Sequence, residues 1–183
     1  MSNQSDRFVI VGTGQRPKDL PTYLGRAYSG AQHMALARLA ISALWEQLYR
    51  GPITVVCGGA QGWDTALFHA AVTLRDTHGA DIQVVLATPD DWQSHCKGWP
   101  VAAYNNWWLK LHSRADRYIK LPHKNGSFGA RLNMRNTLML DQIVDGNGLV
   151  LAWHNGVKVV NSGTYNCMNE ARARGLVVCN VFR

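Results

Sequence analysis

Short apolar runs rich in β-branched residues alternate along this chain with longer segments whose apolar positions recur every three or four residues. The first run, Phe8-Val9-Ile10-Val11, predicts a strand that leads into Gly12-Thr13-Gly14. The spacing of Met34, Ala37, Ile41, Leu44, Trp45 and Leu48 predicts a helix over 29–49 with Trp45 on its core face, stopped by Gly51-Pro52. A second strand over 53–57 runs into Gly58-Gly59-Ala60-Gln61-Gly62 and a helix carrying Leu67, Ala70, Ala71 and Leu74. A third strand is expected over 82–87, and Pro100 suits the first position of a helix that holds Tyr104, Trp107, Trp108 and Leu111. The remaining pattern predicts strands over 118–121, 149–153 and 177–181, with helices over 130–143 and 164–174, the last capped by Gly175.

Strict alternation of strand and helix implies parallel strands joined by helical crossovers. Strands that read as continuous apolar runs imply a sheet covered on both faces. The expected fold is therefore α/β: a single Rossmann-like domain over 1–183, with a mostly parallel six-stranded sheet and helices on both faces. Its 183 residues suffice for one core, and the polar residues 1–6 are expected to be disordered. In such sheets a ligand sits beyond the carboxyl ends of the strands, so the loops there are where chemistry is sought.

Those loops are rich in glycine. Gly58, Gly59 and Gly62 let the backbone approach a ligand closely, and the helix that follows points its free N–H groups at whatever the loop holds. Ala60 and Gln61 complete this loop, and Asp64 suits the helix N-cap. The pattern is neither the dinucleotide-binding G-x-G-x-x-G nor a Walker A loop, and no cofactor is expected. The device recurs after the fifth strand, where Trp153-His154-Asn155-Gly156 is followed by Asn161-Ser162-Gly163-Thr164 at the start of the last helix. Arg131 and Arg135 lie four apart near a helix start, so both are expected on one face, where guanidinium groups grip phosphate. Arg16 follows the first strand and is a candidate for the same place. Arg135 has an alternative partner in Asp141.

Charge sharpens the picture. Between Lys110 and Arg135 seven basic residues face one acid, Asp116, so this stretch carries +6 of the net +7. A local basic field points to an anionic partner. Trp107 and Trp108 precede it and are candidates for base stacking. Cys57, Cys96, Cys167 and Cys179 are scattered without zinc-ligand spacing, so no metal site is expected. No apolar run is long enough for a membrane span, and the polar start lacks a signal-peptide core; a cytoplasmic protein is expected. His123 and His154 lie in strand-end loops as acid/base candidates, and His69 reads as packing.

Four elements in order carry a resemblance: Thr13-Gly14-Gln15-Arg16-Pro17, Gly58-Gly59-Ala60-Gln61-Gly62-Trp63-Asp64, Arg135-Asn136-Thr137-Leu138-Met139 and Ser162-Gly163-Thr164-Tyr165-Asn166-Cys167. Together they resemble the YpsA-like branch of the SLOG superfamily, which also includes DprA and the LOG phosphoribohydrolases. The resemblance implies a Rossmannoid sheet, a nucleotide-type ligand at the glycine loops and a homodimer, for which Trp107, Trp108 and Leu111 offer an apolar patch. The implied ligand-binding residues are Gly12, Thr13, Gly14, Arg16, Gly58, Gly59, Ala60, Gln61, Gly62, Asp64, Arg131, Arg135, Asn136, Trp153, Ser162, Gly163, Thr164 and Asn166.

The chain departs from the LOG pattern at one decisive place. LOG enzymes carry a catalytic Glu three residues after the Thr of the last loop; here that position is Cys167, and the nearest acid is Glu170. The first expectation is therefore a sensor or sequestering protein for a nucleotide, nucleotide sugar or ADP-ribose-like signal. A second is an N-glycosidic hydrolase or transferase, with Asp64 or Glu170 as the catalytic carboxylate. A third is a DprA-like binder of single-stranded nucleic acid that uses the basic stretch.

Overall fold

The computed structural model describes residues 6–15, 30–88, 112–121, 127–157 and 162–182. Among them strands and helices alternate as β1 (Phe8–Gly14), α1 (Gly30–Trp45), β2 (Ile53–Cys57), α2 (Trp63–His78), β3 (Ile82–Thr88), β4 (Arg117–Lys120), α3 (Phe128–Leu140), β5 (Gly148–Trp153), α4 (Gly163–Ala173) and β6 (Val177–Asn180). The six strands form one sheet in the order β4-β3-β2-β1-β5-β6, and every neighbouring pair is parallel. This is the expected α/β, Rossmann-like architecture. The chain builds outward from β1 to β4, then returns to lay β5 on the other side of β1. The topological switch point therefore lies between β1 and β5, at the ends marked by Gly14 and Trp153. The helix expected from Pro100, with Trp107, Trp108 and Leu111, lies outside the described residues, as do Arg16, Cys96, His123 and residues 1–5.

Alternation explains why the strands read as unbroken apolar runs. Ile10, Val55, Val84 and Leu151 point into a core shared with α1 and α2. Their neighbours Val11, Val56, Val85 and Val150 point the other way, into a smaller core completed by Met139 and Leu140 of α3 and Cys167 and Ala171 of α4. Most residues of β1, β2, β3 and β5 are thus buried whichever face they take, while the edge strands β4 and β6 stay half-buried to exposed.

Two sequence expectations are corrected here. The first strand does not stop at Val11: Gly12, Thr13 and Gly14 are the end of β1, paired with Leu151, Ala152 and Trp153. Trp45 is not on the core face of α1: it is 57% exposed, its ring edge-on to His78. The buried stripe of α1 is His33, Leu36, Ala37, Ala40, Ala43 and Leu44. Small alanines let α1 lie close to α2, and that rotates the bulkier Met34 and Trp45 outward. No described helix is long and apolar enough to cross a membrane.

Between α1 and α2, His33 Nε2 and His69 Nδ1 share a hydrogen bond of 3.1 Å, with the rings stacked 5.4 Å apart. Burial first, and then the neighbouring His69, push the His33 imidazole from its usual 6.5 down to about 4. A histidine whose folded value is depressed takes up a proton more readily in the unfolded chain, so stability is lost as pH falls through this window. Denaturant titrations of the wild type and His33→Gln should show that His33 costs the fold up to about 3 kcal/mol between pH 6.5 and 4. Identical pH slopes in the two proteins would mean that the pair does not titrate with unfolding.

Candidate functional site

The site is built where β1, β2 and β5 end. The loop from Gly58 to Gly62 turns through left-handed backbone at Gly59 (φ 73°) and Gly62 (φ 104°), positions a side chain would strain. Asp64 is not the N-cap of α2 as expected. Gly62 takes that position without a side-chain cap, and Asp64 lies in the first turn, 3% exposed. From there its carboxylate reaches back to accept the backbone N–H of Ala60 at 3.3 Å, and the nearby N–H groups of Gly58 and Gly14 favour its charge. One carboxylate thus joins the end of β1 to the loop after β2. Burial raises its pKa to about 6; the nearby Arg135 charge and the three N–H groups oppose the rise.

Arg135 and Asn136 act as a staple. Arg135, on α3, is 7% exposed and reaches across the sheet edge to donate from Nη1 to the Gly58 carbonyl at 3.0 Å. Its Nη2 donates to Asn136 Oδ1 at 3.1 Å. Asn136 in turn donates from Nδ2 to the Gly163 carbonyl at 2.9 Å, at the start of α4. Adjacent residues on one helix therefore hold both glycine loops. The alternative pairing of Arg135 with Asp141 is not formed, because Asp141 is bound to Arg174 at 2.7 Å. Arg131, one turn earlier, is only partly covered.

Three glycines read as room for a ligand are filled by the protein itself. A Cβ on Gly14 would fall 2.1 Å from Trp63 Cβ, one on Gly12 would fall 2.4 Å from Leu67 Cδ2, and one on Gly58 would fall 2.6 Å from Arg135 Cζ. Gly12 and Gly14 let the start of α2 lie directly on β1. There the buried Trp63 donates its indole N–H to the Leu151 carbonyl at 3.0 Å. Gly58 makes room for the guanidinium.

The crevice at the switch point holds two side chains that sequence reasoning undervalued. Gln15 and His154 are each 2% exposed. The Gln15 backbone N–H donates to the Trp153 carbonyl at 3.0 Å, and its Oε1 accepts the Asn155 N–H at 2.8 Å. His154 Nδ1 accepts the Gly156 N–H at 3.0 Å, which places the ring proton on Nε2. Asn180, at the end of β6, clamps the His154 backbone by accepting its N–H at 3.0 Å and donating to its carbonyl at 2.7 Å. No local motif marks Gln15 or Asn180, since each gains its role from a strand distant in sequence. Trp153 itself turns into the core, 5.1 Å from the Phe182 ring.

At the second glycine loop Ser162 is the N-cap of α4, its hydroxyl accepting the Tyr165 N–H at 3.3 Å. Thr164 is buried behind it, while Asn166 is exposed and reaches Asn133 Oδ1 at 3.4 Å. Glu170 binds Arg174 at 2.5 Å and the Thr137 hydroxyl at 3.1 Å. Cys167 is fully buried beside the Thr13 hydroxyl, and burial pushes its thiol up to about 12. A thiol so far from ionising has no nucleophilic use.

Four buried nitrogens at this edge find no hydrogen-bond partner among the described residues: Gln15 Nε2, Gln61 Nε2, Arg135 Nε and His154 Nε2. Every one is a donor. The N-termini of α2 and α4 face the same edge and add positive potential. Among the described residues no group of three metal-binding side chains assembles. No protein-family model matches the chain, and no curated protein matches it.

Two substitutions test this construction. Gly14→Ala should destabilise the fold by about 1–3 kcal/mol, because Trp63 must move to admit a methyl group. A melting temperature unchanged from wild type would show that α2 yields freely there. Arg135→Ala strands the Asp64 carboxylate without its compensating charge, and the expected loss is about 3–5 kcal/mol by chemical denaturation. Asp64→Asn introduced into that variant should return about 1–3 kcal/mol of it. Strictly additive losses would mean that the two groups do not sense each other.

Proposed function

We propose that this protein binds a phosphorylated, nucleotide-type ligand at the C-terminal edge of its sheet, acting as a sensor or sequestering protein for a nucleotide, nucleotide sugar or ADP-ribose-like signal. The observation that carries this reading is the set of four buried donors at one edge that find no partner among the described residues. A buried donor left unmade costs about 1–3 kcal/mol, so a group of them calls for a ligand rich in acceptor oxygens. Two helix N-termini favour a negative one, and Arg135, its Nη atoms already engaged, contributes its unmade Nε–H. The order of motifs that resembles the YpsA-like branch of the SLOG superfamily supports the same class of ligand.

Binding without turnover is favoured over N-glycosidic hydrolysis by where the carboxylates are. Asp64 is buried and spent on backbone N–H groups, and Glu170 is engaged by Arg174 and Thr137. The single-stranded nucleic-acid reading loses some of its basic field to internal partners. Arg114 pairs with Asp76, Arg117 donates to Gln142 at 2.7 Å, and Arg135 is buried. A homodimer remains part of the proposal on the resemblance alone.

Calorimetric titration with matched nucleosides and nucleoside 5′-monophosphates tests the proposal. Each monophosphate should bind at least about tenfold more tightly than its nucleoside, the worth of one charged hydrogen bond. Equal affinities would remove the phosphate site.

A further inference from the structure

Gln15 and His154 are neutral side chains, and each is oriented by a bond made at its other polar atom. The Asn155 N–H holds Gln15 Oε1, which turns the Gln15 amide nitrogen away as a donor. The Gly156 N–H holds His154 Nδ1, which makes Nε2 the protonated nitrogen. Asn180 holds the His154 backbone from both sides, and the Gln15 backbone is bonded to Trp153, the residue before His154. The two residues are therefore neighbours where β1 and β5 end, the Gln15 backbone being bonded to one flank of His154 and its side chain to the other. Both are 98% buried, and both end in an N–H that meets no acceptor among the described residues.

A pair of fixed, uncharged donors differs in kind from the Arg135 end of the edge. Phosphate is favoured where a guanidinium and the helix N-termini supply charge. A neutral donor pair is satisfied by a neutral acceptor, and it is penalised by a group that presents N–H in return, because donors then face donors. The His154 ring lies 5.9 Å from that of Tyr165, in the first turn of α4, so this crevice adjoins the second glycine loop. A phosphate at that loop would bring the rest of a nucleotide within reach of it.

We infer that, resting on the nucleotide reading above, Gln15 and His154 form a subsite that recognises an oxo group of the base and so selects 6-oxopurines and 4-oxopyrimidines over their amino counterparts, which narrows that reading to oxo-base nucleotides and nucleotide sugars and disfavours an adenine-bearing, ADP-ribose-like signal. Oxo and amino bases have nearly the same shape, so the discrimination comes from hydrogen-bond polarity alone.

The test uses inosine, adenosine, uridine and cytidine 5′-monophosphates as probes, titrated calorimetrically into the full chain. Inosine monophosphate should bind about 10- to 100-fold more tightly than adenosine monophosphate, with uridine over cytidine monophosphate in the same range. Gln15→Glu keeps an oxygen for the Asn155 N–H but replaces the donor by an acceptor; it should abolish or reverse both preferences. Gln15→Met, with melting temperature measured on the same samples, serves if the charged variant does not fold, and should bring both ratios close to one. Equal binding of oxo and amino partners by the wild type would overturn the subsite while leaving the phosphate site standing. A preference for the amino bases, or oxo preference undiminished in a folded Gln15 variant, would overturn it too. Failure of all four probes to bind would overturn the nucleotide reading and the subsite together.

Discussion

A carboxylate taken out of water must be compensated where it lies, and in this protein that requirement organises the whole C-terminal edge of the sheet. Asp64 sits in the first turn of α2 with almost no exposure, and three backbone N–H groups from two different strand ends converge on it. Its remaining compensation is the Arg135 charge, delivered from a helix on the opposite face of the sheet. Such a buried arrangement adds little net stability compared with apolar packing, but it is costly to break from either side. It therefore acts mainly as a specification: the ends of β1 and β2, the start of α2 and the middle of α3 have one arrangement in which both charges are satisfied.

The same requirement accounts for the glycines. Arg135 can reach the Gly58 carbonyl only because that position has no Cβ, and α2 can press Trp63 and Leu67 onto β1 only because Gly12 and Gly14 have none. Asn136 extends the staple to the start of α4, so the two glycine loops are held at a fixed separation by neighbouring residues of one helix. What this scaffold leaves over is one-sided. The buried side-chain nitrogens at this edge without partners among the described residues are all donors, as are the backbone N–H groups that open α2 and α4. An edge so biased is suited to acceptor-rich ligands and hostile to cations.

Much of the fold was legible along the chain, because the period of the apolar positions is a local property. Each strand and helix among the described residues was anticipated within a few positions. The errors have specific causes. Trp45 was assigned to the core by spacing, yet the tight approach of α1, made through Ala37, Ala40 and Ala43, turned the helix so that small residues face inward. Spacing gives the width of an apolar stripe but not which residues a close neighbour will accept. Asp64 resembled an N-cap by position, whereas its carboxylate reaches back into the preceding loop, to the Ala60 N–H. The apolar run of β1 ends at Val11, whereas β5 extends the ladder to Gly14.

Local pattern in the sequence by itself determined the class of the fold, the order of its elements, the glycine-opened helix starts and the candidacy of Arg135. Those features follow from residue type and near-neighbour spacing. Only the tertiary structure decided that Arg135 is buried across the sheet on Gly58, that Glu170 is occupied by Arg174, and that Gln15 and His154 are buried at adjacent strand ends with donors unmet among the described residues. Each of these depends on contacts between segments far apart in the chain. Burial, hydrogen-bond satisfaction and compensation of charge are properties of the packed edge and are carried by no single stretch of residues.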